Sequence, residues 1–166
     1  MKRPVLKLTP KPMDYIIQLI TWCFLLFLWS LFFYYYGILP DEIPVHFDFG
    51  GHPDQYGSKA ILISLPLLAT LLVAGISVLV RFPHYFNYLV EITQENARIQ
   101  YTYATRLLRF ISLLLALLFT AIFYEVIYVS LYRQAFFGWI ILVVVLGLLL
   151  AMMIVYFINA SKDPTN

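Results

Sequence analysis

The chain has 166 residues, 62% of them hydrophobic and 12% charged, with a formal net charge of +2. That balance excludes a separate soluble core, and the basic residues are too scattered among oily runs to make a nucleic-acid surface. Long uncharged stretches dominate, and the polar chemistry lies between them.

Residues 1–13 carry Lys2, Arg3, Lys7 and Lys11 together with Pro4, Pro10 and Pro12, which predicts a mobile cytoplasmic arm. Tyr15–Pro40 then holds no charged residue. A hydrocarbon core about 30 Å thick needs roughly 20 helical residues, so a first span over about 15–38 is expected. Its continuous rather than alternating apolarity argues for a helix and against a barrel strand. Trp22 and Trp29 fall on one helical face, and Tyr34, Tyr35 and Tyr36 form an interfacial belt. Cys23, the only cysteine, excludes an intrachain disulfide and reads as a packing residue. The run is too long for a cleaved leader and reads as an uncleaved signal anchor.

Leu39–Lys59 follows, with three prolines, three glycines and four acids against one base. Ile43, Val45, Phe47 and Phe49 alternate as a short half-buried strand would, so an ordered loop is expected. Ser58 is placed to cap a second span over about 60–80, with a kink expected at Pro66. Pro83 ends that helix, and Tyr85–Ile92 has the composition of an extended piece. Thr93 is a candidate N-cap with Glu95 in the first turn, so the third helix projects two or three turns beyond its span of about 107–131. A short connection around Tyr132–Phe136 makes the last two spans, the fourth over about 136–158, an antiparallel hairpin. Ala116-xxx-Thr120 and Gly147-xxx-Ala151 offer small residues for close helix approach. Residues 162–166 form a short tail.

The expected fold is therefore all-α, a single membrane domain (residues 14–161) of four transmembrane helices. With the N-terminus inside, Lys2, Arg3, Lys7, Lys11, Arg81, Arg98, Arg106, Arg109 and Lys162 lie in the cytoplasm. Only Lys59 and Arg133 then lie outside. That asymmetry predicts an N-in, C-in orientation with the 39–59 loop outside.

Candidate chemistry concentrates in that loop. His46-x-Asp48 and His52-x-Asp54 are two units of metal-ligating type, although their spacing matches no zinc motif and the aspartates equally suit turn capping. Glu125 interrupts the third span about 7 Å below the outer interface, at 1.5 Å per residue. A carboxylate there costs roughly 2.5–3.5 kcal/mol at full depth, so it is expected to face the bundle interior. Tyr124, Tyr128 and Tyr132 recur every four residues beside it. On the inner side, Asn87, Tyr88, Thr93, Asn96, Gln100 and Tyr101 are polar or aromatic but supply no nucleophile–base pair, and no phosphate loop or hydrolase motif is present.

The pattern Leu39-Pro40-x-x-Ile43-Pro44-x-His46-Phe47, then Gly51-x-x-Asp54-x-x-Gly57-Ser58-Lys59, resembles the bacterial membrane family called domain of unknown function 1648. That domain also opens SdpI-type proteins, which give immunity to a peptide toxin and take part in its signalling. Phe86-Asn87-Tyr88, Ile92-Thr93-x-x-Asn96-Ala97 and Gln100-Tyr101 resemble its continuation in short members. The resemblance places His46, Asp54 and Lys59 on its polar positions; Asp48 and His52 depart from it, and the further spans of SdpI-type proteins are missing.

The expected role is a non-enzymatic cytoplasmic-membrane protein of bacteria. It would bind a peptide or protein ligand outside through His46, Asp54, Lys59, Glu125 and Tyr128, need no cofactor, and signal to a cytoplasmic or membrane partner. Proton-coupled transport through Glu125 is one alternative. A metal-dependent membrane enzyme using His46, Asp48, His52 and Asp54 is another.

Overall fold

The computed structural model describes residues 3–48, 50–135 and 140–161. Among the described residues four helices are long and apolar enough to cross a membrane, which makes this a multi-pass membrane protein. They are α1 (Pro12–Tyr35), α2 (Ser64–Leu79, entered through a 3-10 turn over Lys59–Ile63), α3 (Ala97–Tyr132) and α4 (Ile140–Ala160). A two-stranded antiparallel sheet, β1 (Glu42–Phe47) and β2 (Pro53–Ser58), joins α1 to α2. The chain is mostly helical, as expected of a helical membrane bundle, and the hairpin is the small departure from an all-α fold.

α1 and α3 run parallel. Asp14 of α1 meets Arg106 of α3 at one end, and the rings of Phe32 and Phe123 lie 6.4 Å apart toward the other. Between them, the Trp29 indole donates to the Thr70 hydroxyl at 3.0 Å, tying α1 to α2. α4 is antiparallel to α3, because the Gln100 amide near the start of α3 donates to the Ala160 carbonyl at the end of α4 at 2.9 Å. One buried cluster, including Leu28, Phe32, Leu62, Val73, Phe123 and Ile127, joins the first three helices. α4 stands outside it and turns most of its surface outward, as a helix solvated by lipid can.

Helix boundaries follow local chemistry. Pro12 sits at the first position of α1, where its missing N–H is no loss. Ser58 caps the 3-10 turn, its hydroxyl accepting from the Ala60 amide at 3.3 Å. Pro66 is the third residue of α2, in its first turn, where the missing N–H removes no intrahelical bond. Thr93 and Asn96 exchange side chain-to-amide bonds at 2.9 and 3.3 Å, a reciprocal box one turn ahead of α3. Thr93 therefore has capping chemistry, while Asn96 is the N-cap itself. α3 extends from Ala97, about three turns before Arg106, as expected.

Two irregular segments lead into α1 and α3. Tyr85–Ile92 forms no strand; a 3-10 turn at Pro83–Tyr85 leads into irregular backbone, with Phe86 itself extended. The arm ahead of α1 touches the bundle through Leu6, Leu8 and the Pro4 carbonyl. Pro4, Leu6 and Leu8 are half-buried while Arg3, Val5 and Lys7 are exposed, and the leucines pack on the cluster of Ile92, Ala97 and Tyr101, as do Tyr88 and Val90. Phe49, the 136–139 stretch of the last connection, Lys2, and the tail with Lys162 fall outside the described residues.

Candidate functional site

The hairpin is built by alternation interrupted twice. Ile43 pairs with Gly57 and Pro44 with Tyr56, but His46 pairs with Gln55, so Val45 is an extra residue on β1; Phe47 then pairs with Pro53, so Asp54 is an extra residue on β2. The first bulge suits a strand containing Pro44, whose ring supplies no ladder donor. Ile43 keeps its inward position, 1% exposed in the bundle cluster, whereas Val45 is turned out. The bulge also sets His46 on the exposed side, where its Nδ1 lies 2.6 Å from Asp54 Oδ1 on β2. The imidazole and carboxylate are 59% and 45% exposed, leaving both open to a ligand.

The hairpin tip is closed by Asp48. Its carboxylate accepts from the His52 amide at 2.8 Å, and its carbonyl accepts from the Gly51 amide at 2.9 Å. Gly51 adopts φ 81°, the left-handed conformation that glycine allows. The backbone amide of His52 holds the Asp48 carboxyl below the usual carboxylate range. Asp48 and His52 thus form one pair and His46 and Asp54 another. Among the described residues, no three His, Cys, Asp or Glu side chains converge as a metal site needs. The four-ligand arrangement is corrected to two separate pairs.

Lys59 anchors the hairpin base. Its amide donates to the Asp41 carbonyl at 2.8 Å, and its ammonium reaches the Asp41 carboxylate at 3.1 Å and the Leu39 carbonyl at 3.2 Å. It also lies 5.6 Å from the Tyr36 ring centre. Lys59 is a tether between α1 and the strands. From α3, the Arg133 guanidinium stands 5.7 Å from the Tyr56 ring centre on β2. Arg133 ends the helix at φ 58°, a left-handed cap without glycine.

Glu125 is buried in α3 between Phe123 and Val126, whose side chains belong to the cluster that receives Ile43. The expected inward orientation is thus what the helix presents. Tyr124, Tyr128 and Tyr132 do form a stripe, with ring centres 6.2 and 4.7 Å apart. Ala116 and Thr120 are buried, whereas Gly147 and Ala151 are exposed on α4, so only the first small-residue pair lies inside the bundle.

The motif at the other end is a packing knot. Tyr101 donates to the Pro4 carbonyl at 3.0 Å, Tyr88 donates to the Pro83 carbonyl at 2.8 Å, and their ring centres are 5.5 Å apart. Arg3 donates to the carbonyls of Phe86 and His84 and lies 5.6 Å from the Tyr88 ring centre. Burial pushes the Tyr88 phenol up, with Tyr101 and Tyr156 adding to it. Asn87 is exposed.

Sequence reasoning missed Asp14. It is 3% exposed, accepts from the Lys11 amide at 2.8 Å, and meets Arg106 at 3.0 Å and Arg109 at 4.0 Å. The available signal was a lone acid at the entrance of a span, with two arginines at the entrance of another.

Comparison with known proteins bears on the hairpin. Residues 23–70 match the family described as domain of unknown function (DUF1648). An uncharacterized protein of Archaeoglobus fulgidus is 33% identical over 60 residues, which cover 31% of this chain and 33% of that protein. The chain thus spans about a third of the length of the curated relative it matches. No solved structure matches. The matched segment holds α1 from Cys23, the whole hairpin and the first part of α2 to Thr70. The 39–59 pattern lies inside that match, so the resemblance read from it and the family model fall on the same segment.

Proposed function

We propose that this chain is a non-enzymatic protein of the bacterial cytoplasmic membrane, with both termini inside, that binds a peptide or protein outside through its β-hairpin. The exposed His46–Asp54 pair carries the reading: a hydrogen-bonded imidazole and carboxylate on the open side of a sheet braced by buried Ile43. β2 gives further support. It has one partner strand, and its Asp54, Gln55 and Tyr56 are exposed, so an extended peptide can add to its second edge. An immunity- or sensor-like role, with the Tyr88–Tyr101 region relaying occupancy to a partner, extends the resemblance to SdpI-type proteins.

The test places a photo-crosslinking residue at Gln55 in living cells. The expected result is a discrete adduct with an extracytoplasmic peptide or protein, lost in the double variant His46→Ala, Asp54→Ala. An adduct of unchanged intensity in that variant overturns the reading.

The burial of Glu125 favours a second reading, proton-coupled transport, because intramembrane carboxylates mark ion pathways. Undiminished proton flux through Glu125→Gln in liposomes would remove it.

A further inference from the structure

α3 and α4 do not close against one another along their whole length. A cavity of about 250 Å³ lies between them, and its wall is almost entirely apolar, with Phe110 and Leu148 at its deep end. Arg106, Tyr103, Tyr156 and Asn159 line its other end, the one where α1 begins and α4 ends. Along α4 the groove runs from Asn159 to Leu148, about 16 Å at 1.5 Å per residue. That is half of a hydrocarbon core about 30 Å thick, the depth of one leaflet.

The charge at its mouth is unbalanced. Arg106 spends Nε and Nη2 on Asp14, at 3.0 and 3.5 Å, and Arg109 approaches the same carboxylate at 4.0 Å. Among the described residues two guanidiniums share one carboxylate, which leaves one positive charge beside the groove. The Arg106 side chain remains 29% exposed. A water-filled apolar slot at this depth is unfavourable, and an unfilled one forfeits dispersion contacts. We propose that the groove seats one acyl chain of an anionic phospholipid, with Arg106 taking its phosphate. Basic pockets between transmembrane helices bind such headgroups, and phenols suit the same interfacial level. The proposal is independent of what the β-hairpin binds.

The experiment uses the full chain in phosphatidylcholine nanodiscs containing a minor share of phosphatidylglycerol. Native mass spectrometry after release reads which lipid stays bound and whether the protein is a monomer. The expected result is a monomer retaining one phosphatidylglycerol, enriched over phosphatidylcholine about fivefold for one uncompensated charge. Arg106→Gln should abolish the enrichment. Since that change also disturbs Asp14, a second variant, Ala151→Phe, fills the groove and leaves the charges in place. It should lose the retained lipid while keeping the wild-type thermal midpoint. Equal retention of both lipids by the wild-type protein overturns the proposal, as does enrichment that survives Ala151→Phe. A dimer without bound lipid, in which a second copy covers the groove, overturns it too.

Discussion

The carboxylate of Asp14, in the first turn of α1, lies 3.0 Å from Nε of Arg106 on α3, 92 residues further along the chain. Asp14 is almost wholly buried, and Arg109 stands on its other side. This contact fixes the depth of α1 against α3 at one end of the bundle. Removing the carboxylate alone leaves two guanidiniums facing each other in a desolvated place. Asp14→Asn should therefore destabilise the protein by about 2–3 kcal/mol, below the fully buried range because Arg106 keeps some exposure. Thermal unfolding in detergent, followed by tryptophan fluorescence, measures it. The double variant Asp14→Asn, Arg106→Gln should recover part of the loss.

The His46–Asp54 pair should behave in the opposite way. An exposed imidazole–carboxylate contact contributes about 0–1 kcal/mol, so His46→Ala should shift the thermal midpoint very little. Loss of the Gln55 adduct at unchanged stability would separate recognition from folding. A large drop in midpoint would instead make the pair a brace of the hairpin.

The hairpin tip depends on backbone geometry. Gly51 at φ 81° would strain any substituted side chain, so Gly51→Ala should cost about 1–2 kcal/mol locally. Hydrogen exchange at the Asp48 and His52 amides, both bonded across the tip, should accelerate about 5–30-fold. The helices should exchange as before.

Tyr88 makes the arm sensitive to alkali. Its folded value is raised by burial, so its contribution to stability is fully present below the unfolded value of about 10. That contribution is lost as pH rises from there through the folded value. A fluorophore attached at Lys7 should report release of the arm only above about pH 10. Tyr88→Phe should move the onset upward, at the loss of one hydrogen bond to the Pro83 carbonyl.

The helices were legible because hydrocarbon thickness imposes a length that few other structures need. The three-turn extension of α3 was legible too, through Thr93 and the polar residues before Arg106. The hairpin was only half visible. Ile43, Val45 and Phe47 announce a strand, but the bulge that expels Val45 depends on pairing with β2, and Pro53–Ser58 has no apolar alternation of its own. The docked arm did leave a signal. Pro4, Leu6 and Leu8 alternate with Arg3, Val5 and Lys7, a period of two that the prolines concealed. Within the site, His46 and Asp54 were singled out, but nothing local showed that they pair across the strands. Asp14 and Arg106 were illegible as partners for the same reason: contacts formed between distant segments leave no local pattern.

The distance in sequence between Asp14 and Arg106 has a consequence for biogenesis. At about 5–20 residues per second, the ribosome needs roughly 5–18 seconds to add the 92 residues that separate them. During that interval the first two membrane helices are completed while the aspartate still lacks Arg106. Being in the opening turn of its helix, it can wait among hydrated headgroups, and the arrival of the third helix draws it inward. The order of synthesis thus becomes an order of assembly, with the first helix seated to its final depth only after the third helix has entered the bilayer.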